Sequence, residues 1–102
     1  MKCLSLVTPN GCGPKGFSIN KGLDKRGEAI LIQCCNQHDI CYGSCLGKEM
    51  CDNNFESCML QECTLLPDTR SQKKCHKDAL LMSTMVKVFG GPFYCVRKIN
   101  KN

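Results

Sequence analysis

Two pairs of cysteines with the same spacing limit how this chain can fold. Cys34 and Cys41 are seven residues apart, and so are Cys51 and Cys58. In antiparallel helices the numbers of facing residues have a constant sum, so one register allows both Cys34–Cys58 and Cys41–Cys51 to form. The five residues 46–50 are enough to connect antiparallel neighbours. The spacing therefore predicts two antiparallel helices joined by two disulfides, with the approximate bounds Ala29–Cys45 and Cys51–Cys63.

A histidine and an aspartate lie side by side within the first of these helices. At about 100° per residue, His38 shares a narrow face with the cysteines, while Asp39 and Tyr42 flank it. In the predicted register His38 faces Asn54, and Asp52 lies about half a turn away. A carboxylate within reach of an imidazole fixes its tautomer and stabilises its cation. The geometry thus indicates a general base with an orienting acid.

Simpler roles for the same residues have to be weighed. His38 can be a hydrogen-bonded core histidine, Asp52 can begin the second helix at its positive dipole end, and Tyr42 can pack in the core. The closeness of His38, Asp39 and Asp52 favours the catalytic interpretation. A zinc site built from Cys34, Cys35 and His38 is disfavoured because cysteines of an oxidising compartment form disulfides.

The sequence CCNQHDICY at 34–42, followed by CDNNFESC at 51–58, resembles the active-site helix pair of the secreted phospholipases A2. It is most similar to the atypical group XII branch. The connection between the helices is short, NGCG stands upstream at 10–13, and Cys45 and Cys63 occupy additional positions. The resemblance implies calcium-dependent hydrolysis of the sn-2 ester of glycerophospholipids, which releases a fatty acid and a lysophospholipid.

The resemblance also assigns roles to individual residues. It implies that His38 is the base, that Asp52 orients it and that Tyr42 donates its hydroxyl proton to Asp52. Asp39 would be the side-chain ligand of Ca²⁺, and we also expect Cys12–Cys35 to tie the upstream loop to the first helix. The backbone ligands of calcium would be carbonyls of Gly11, Gly13 and either Lys15 or Gly16.

The loop of residues 10–16 has three glycines and a proline around Cys12. Glycines let backbone carbonyls turn toward a hard cation, although the same composition also fits a plain disulfide-linked turn. The chain is short before this loop, so the N-terminal helix of most of the family is expected to be missing. The competing function is therefore a phospholipase-like binding protein that engages lipid, a receptor or a channel with little turnover.

Composition gives the same class of protein. A chain of 102 residues is expected to form a single domain over 1–102. Eleven cysteines exceed the roughly 8–10% that marks a disulfide scaffold, which predicts a small secreted protein, and the predicted helices make its fold mainly α. Met1–Val7 is too short an apolar run for a signal peptide, so we expect it to begin a mature chain. No run approaches a transmembrane helix, and we expect a soluble monomer.

The formal net charge of +5 favours anionic partners. The basic residues are spread along the chain, with no compact basic block and no aromatic interleaving. This distribution favours an anionic phospholipid membrane surface over nucleic acid.

The last third of the chain predicts a loop, a helix and a tail. Thr64–Lys74 is polar and reads as a surface loop, and Cys75–Phe89 is amphipathic up to Gly90. We expect its apolar face to close the core rather than to insert into lipid; this face comprises Leu81, Met85, Val88 and Phe89. The tail of 93–102 is tethered through Cys95. The helix register leaves the pairing of five cysteines open: Cys3, Cys45, Cys63, Cys75 and Cys95.

Overall fold

The computed structural model describes residues 11–13 and 19–96. Its elements are α1 (Asn20–Lys25), α2 (Leu31–Ser44), α3 (Lys48–Cys63), α4 (Thr69–Phe89) and a 3₁₀ turn at Gly91–Phe93. No strand occurs in these two described ranges, and none of their helices is long and apolar enough to cross a membrane. The prediction of a mainly helical, disulfide-rich fold is confirmed.

The antiparallel pair α2 and α3 carries both disulfides that the cysteine spacing predicts. Cys34–Cys58 and Cys41–Cys51 each have a Cα–Cα distance of 5.7 Å. The helices differ at their first residues from the prediction. The predicted start of α2 at Ala29 is two residues early, because a turn bond joins the Ile32 N–H to the Ala29 carbonyl.

The second helix begins earlier than the predicted Cys51. Its cap is Gly47, whose φ of +125° lies in a region that side chains rarely adopt, and this sharp bend lets α3 start at Lys48. At the end of α2, Cys45 has the left-handed φ of 57° that terminates many helices. The connection between α2 and α3 is therefore only three residues long, 45–47.

The predicted surface loop Thr64–Lys74 is wrong for residues 69–74, which form the first turns of α4. Asp68 caps this helix, since its side chain accepts a hydrogen bond from the Ser71 N–H at 2.7 Å. An aspartate directly after Pro67 is a helix-start signal that the polarity of the segment hides.

The predicted core face of α4 is also wrong. Leu81, Met85, Val88 and Phe89 are between 51% and 66% exposed. The face that packs against α3 instead carries small side chains, and its buried members are Cys75, Ala79 and Ser83. Small residues allow close approach of two helices, and the Cys63–Cys75 disulfide joins them. The large apolar residues of α4 consequently remain on its outer side.

The core is centred on α3, which packs against both α2 and α4. Its largest side chains are Leu31, Phe55 and Met59, surrounded by disulfide sulfurs. The short helix α1, which the sequence did not indicate, adds Leu23. Of the five cysteines left open by the register, Cys45 pairs with Cys95 and Cys63 with Cys75; Cys3 lies outside the described residues.

A buried carboxyl group sits between α1 and α2. Glu28 is 1% exposed, and neither of its carboxylate oxygens has a hydrogen-bond partner in the described part of the chain. Arg26 lies 3.7 Å away but donates two bonds to Asp78 on α4, at 3.0 and 2.8 Å. Burial, reinforced by Asp78, raises the pKa of Glu28 from 4.5 to about 7.

This carboxyl group makes folding stability depend on pH. Glu28 binds its proton more tightly in the folded state than in the unfolded state. Its contribution to the free energy of unfolding is therefore complete below pH 4.5 and is lost as the pH rises through 7. Glu28→Gln removes the ionisation and is expected to raise the free energy of unfolding at pH 8 by about 3 kcal/mol, with little change at pH 4. Urea denaturation with the disulfides intact measures it, and Glu49→Gln on the surface is the control. A difference that is constant with pH would contradict the assignment.

Candidate active site

His38 lies in the middle of α2, and its imidazole is buried against α3. The residue is 8% exposed, and its ring contacts the rings of Tyr42 and Phe55, at centroid distances of 4.1 and 4.6 Å. Its Nε2 is 2.8 Å from Oδ1 of Asp52 on α3. The structure thus brings together the histidine and the carboxylate that the helix register predicts to be neighbours, while Asn54 is exposed.

Asp52 is held by three hydrogen bonds, of which the His38 bond is one. The Tyr42 hydroxyl donates to Oδ1 at 2.6 Å, and the Lys48 ammonium donates to Oδ2 at 2.8 Å. Burial alone would raise the pKa of this carboxyl group, which is 2% exposed, but the bonds from His38, Lys48 and Tyr42 together hold it below its usual range. Burial and the same carboxylate raise the pKa of Tyr42, so the phenol remains a donor. Asp52 is therefore a fixed anion.

The electrostatics keep the imidazole neutral near pH 7. Burial lowers the pKa of His38, Asp52 partly opposes this, and the Lys48 charge adds to the lowering. A neutral imidazole beside a carboxylate carries its proton on Nε2 and donates it to Asp52. Nδ1 then holds the lone pair, and it has no hydrogen-bond partner among residues 11–13 and 19–96. His38 also lines a groove between α2 and α3, together with Gln37 and Asn54. A neutral imidazole with a free lone pair beside such a groove can act as a general base.

The segment after α4 wraps around the end of the His38 helix. The Tyr94 ring meets the Tyr42 ring edge-on at 5.2 Å, and its hydroxyl accepts from the Gly47 N–H at 2.7 Å. The Cys95 N–H donates to the Tyr42 carbonyl at 3.1 Å. A Cβ at Gly90 would clash with the Val86 carbonyl oxygen and lie 2.5 Å from the Tyr42 hydroxyl, so a side chain here would force the end of α4 or Tyr42 to move. Sequence reasoning missed these contacts because they join distant parts of the chain without a local motif.

Lys48 is the other site residue that sequence reasoning missed. Besides Asp52, its ammonium binds the carbonyls of Val86 at 3.1 Å and Lys87 at 3.2 Å, at the C-terminal end of α4. The Val86 carbonyl also accepts the Gly90 N–H at 2.8 Å, and the C-terminal end of a helix carries partial negative charge, so a cation is favourable there. The four-residue spacing of Lys48 and Asp52 was an available signal, since such pairs meet on a helix surface.

Lys48→Met is expected to lower the free energy of unfolding by about 2 kcal/mol, because the buried Asp52 carboxylate loses one of its three donors and the Lys87 carbonyl loses its contact with the ammonium. Lys87→Met is the matched control. Its partner Glu56 is a partly exposed carboxylate at 2.8 Å, and the loss is expected to stay below about 1 kcal/mol. Urea denaturation of both variants with the disulfides intact measures the difference. Equal losses would contradict a structural role for the Lys48–Asp52 pair.

Residues 11–13 of the glycine loop lie beside α2, where the Gly11 N–H donates to the Asn36 side chain at 2.8 Å. Cys12–Cys35 is formed, and Asp39 is half-buried one helical turn beyond Cys35. Gly11 and Gly13 have φ of +78° and +102°, and a Cβ at Gly11 would lie 2.5 Å from the Asn20 side chain.

These residues fit a hard cation. A carboxylate and backbone carbonyls are the oxygen ligands that calcium prefers. Zinc is excluded from the alternative site because Cys34 and Cys35 are in disulfides. The described ranges contain no cluster of three His, Cys, Asp or Glu side chains around a metal position, and Lys15 and Gly16 lie outside them.

A cross-linked helix pair that buries a His–Asp pair beside a glycine loop is the arrangement expected of the secreted phospholipases A2, and comparison with known proteins agrees. Residues 3–92 match the family described as Group XII secretory phospholipase A2 precursor. Because the match spans most of the sequence, the chain belongs to this family.

Curated relatives share part of the sequence. Group XIIA secretory phospholipase A2 of Homo sapiens is 41% identical over 56 residues, which are 54% of this chain and 28% of the relative; the Mus musculus protein gives the same values. Group XIIB secretory phospholipase A2-like protein of Mus musculus is 36% identical over 64 residues, 60% of this chain and 32% of the relative. The chain thus matches less than a third of each relative's length. No solved structure matches it.

Proposed function

We propose that the protein is a secreted, calcium-dependent phospholipase A2 that hydrolyses the sn-2 ester of glycerophospholipids. The observation that carries the proposal is the buried His38–Asp52 pair, in which Nε2 is bound at 2.8 Å and Nδ1 is left to accept a proton. Membership of the group XII family supports the substrate class. The five disulfides support secretion, because they persist in oxidising compartments.

In the proposed reaction His38 Nδ1 removes a proton from water as the water oxygen attacks the ester carbonyl carbon. Asp52 stabilises the resulting imidazolium, and the hydrogen bonds from Tyr42 and Lys48 keep Asp52 in place. When the sn-2 C–O bond breaks, His38 returns the proton to the lysophospholipid oxygen. The products are a fatty acid and a lysophospholipid, and no covalent intermediate is required.

Calcium would be held by the Asp39 carboxylate and by the carbonyls of Gly11, Gly13 and either Lys15 or Gly16. When bound, it supplies positive charge for the lipid phosphate and for the oxyanion that develops at the ester. Asp39 provides the negative charge that attracts the ion, since the carbonyls alone form a neutral site.

We further propose a monomer that works at a phospholipid membrane surface of anionic character and does not bind nucleic acid. The net charge of +5 supports an anionic surface. The pairing of His38 with Asp52 of the same chain supports a monomer.

Calcium-titrated hydrolysis of mixed phospholipid vesicles tests this function. We expect fatty acid release that rises with calcium and disappears in chelator. Calcium binding without any hydrolysis would reject the enzyme and favour a phospholipase-like binding protein. Unchanged release in chelator would reject the metal's role while leaving the His38 base untouched.

A further inference from the structure

One face of α4 carries an exposed row of basic and apolar side chains. We call it the α4 outer stripe, and its members are Arg70, Lys74, Lys77, Leu81, Met85 and Val88. Their spacing of three or four residues keeps them within about 80° of the helix circumference. The buried Cys75, Ala79 and Ser83 lie on the opposite side, so all six stripe residues are exposed.

The two halves of the stripe differ in chemistry. The N-terminal half is cationic. In the described part of the chain, no carboxylate oxygen lies within 4.0 Å of the side-chain nitrogens of Arg70, Lys74 or Lys77. The nearby acids are already engaged, since Asp78 binds Arg26, Glu56 binds Lys87 and Asp68 caps α4 by accepting from Ser71. The stripe's positive charge is therefore available to an anionic partner.

The C-terminal half is apolar. Leu81 is 61% exposed and Val88 65%, and the exposed apolar surface continues through Phe89 to Phe93 in the 3₁₀ turn. Single exposed apolar residues are ordinary, but a contiguous set on one helix face marks a contact surface.

A lipid interface satisfies both halves at once, and a second copy does not. In an antiparallel twofold dimer the cations of one stripe would face the apolar half of the other, and in a parallel dimer cations would face cations. The stripe runs over 19 residues, from Arg70 to Val88, which is roughly 27 Å of helix. An anionic bilayer offers phosphates to its cationic half and, just below them, hydrocarbon to its apolar half.

We propose that the α4 outer stripe docks on anionic phospholipid membranes, with its apolar half in the headgroup–acyl boundary and its cations on phosphates. This inference rests on the proposed function and identifies the surface that would bring the enzyme to its substrate. The apolar half belongs to the end of α4 whose carbonyls bind Lys48, which in turn binds Asp52. Lys48 thus connects the apolar end of α4 directly to the His38–Asp52 pair.

Vesicle co-sedimentation of the full chain tests the surface independently of turnover. The vesicles contain phosphatidylglycerol and phosphatidylcholine, or phosphatidylcholine alone, with chelator present throughout. Leu81→Gln combined with Val88→Gln is expected to weaken binding to both about tenfold or more. Arg70→Gln with Lys77→Gln is expected to weaken binding to the anionic vesicles about tenfold and to leave binding to neutral vesicles unchanged.

Matched exposed residues elsewhere serve as controls. Leu65→Gln, which alters a 70% exposed leucine outside the stripe, and Lys21→Gln with Lys25→Gln on α1 are expected to bind like the parent. Circular dichroism verifies the helices, and hydrolysis of a monomeric short-chain phospholipid should be unaffected by all variants. Parent-like binding by the stripe variants would overturn the proposal, as would parent self-association that the Leu81 and Val88 changes abolish. Absent hydrolysis with stripe-dependent binding would reject only the enzyme.

Discussion

His38→Gln is expected to lower phospholipid hydrolysis about a thousandfold while the thermal transition stays nearly unchanged. A positioned base contributes roughly 10²–10⁴ to a rate, and glutamine keeps a donor near Asp52 but cannot accept a proton at neutral pH. The disulfides Cys34–Cys58 and Cys41–Cys51 hold α2 on α3 in the variant. Initial rates on mixed vesicles at saturating calcium, with a calorimetric melt, measure both quantities.

Asp52→Asn provides the comparison for this prediction. The amide loses the charge that orients and stabilises the imidazolium, but the base itself survives, so the rate should fall less than in His38→Gln. Full activity in His38→Gln would reject His38 as the base.

Asp39→Asn is expected to weaken calcium binding and hydrolysis together, each by tenfold or more at limiting calcium. The substitution keeps the size of the side chain and removes the negative charge that offsets the cation's desolvation. The parent site, with a single carboxylate beside a loop, is expected to bind in the roughly 10⁻⁴–10⁻³ M range. Calorimetric titration of both forms, paired with rates across calcium concentrations, makes the comparison.

Asp24→Asn, in the exposed helix α1, controls for the general loss of one negative charge. If Asp39→Asn weakened hydrolysis but bound calcium like the parent, the metal-ligand role of Asp39 would be rejected. Equal losses of calcium binding and hydrolysis in Asp39→Asn and Asp24→Asn would mean that the change in net charge, and not a ligand role of Asp39, causes them.

The helix pair was predictable from the sequence because the spacing of cysteines within each helix determines how the two helices can be cross-linked. The equal spacings of Cys34–Cys41 and Cys51–Cys58 leave one antiparallel register, and that register alone brings Asp52 close to His38. The family resemblance added the Tyr42 hydroxyl bond that the structure contains.

Other features depend on contacts that no local pattern encodes. The side of α4 that faces the core was mispredicted because hydrophobicity favours large residues, whereas α3 and α4 meet through Ala79 and Ser83. The pairing of Cys45 with Cys95 and the approach of Tyr94 to Gly47 require the chain to return over about half its length. The helix register carries no information about such returns.

The two bridges between α2 and α3 also determine what the chain retains when it unfolds. Through Cys41–Cys51, the covalent path from His38 to Asp52 runs three residues to the bridge and one residue beyond it, rather than fourteen along the backbone. A heated but oxidised chain therefore keeps its reactive residues tethered as neighbours, and the entropy of bringing them together is largely removed before refolding begins. Refolding of the site therefore starts from two segments that the bridges already hold in the antiparallel register.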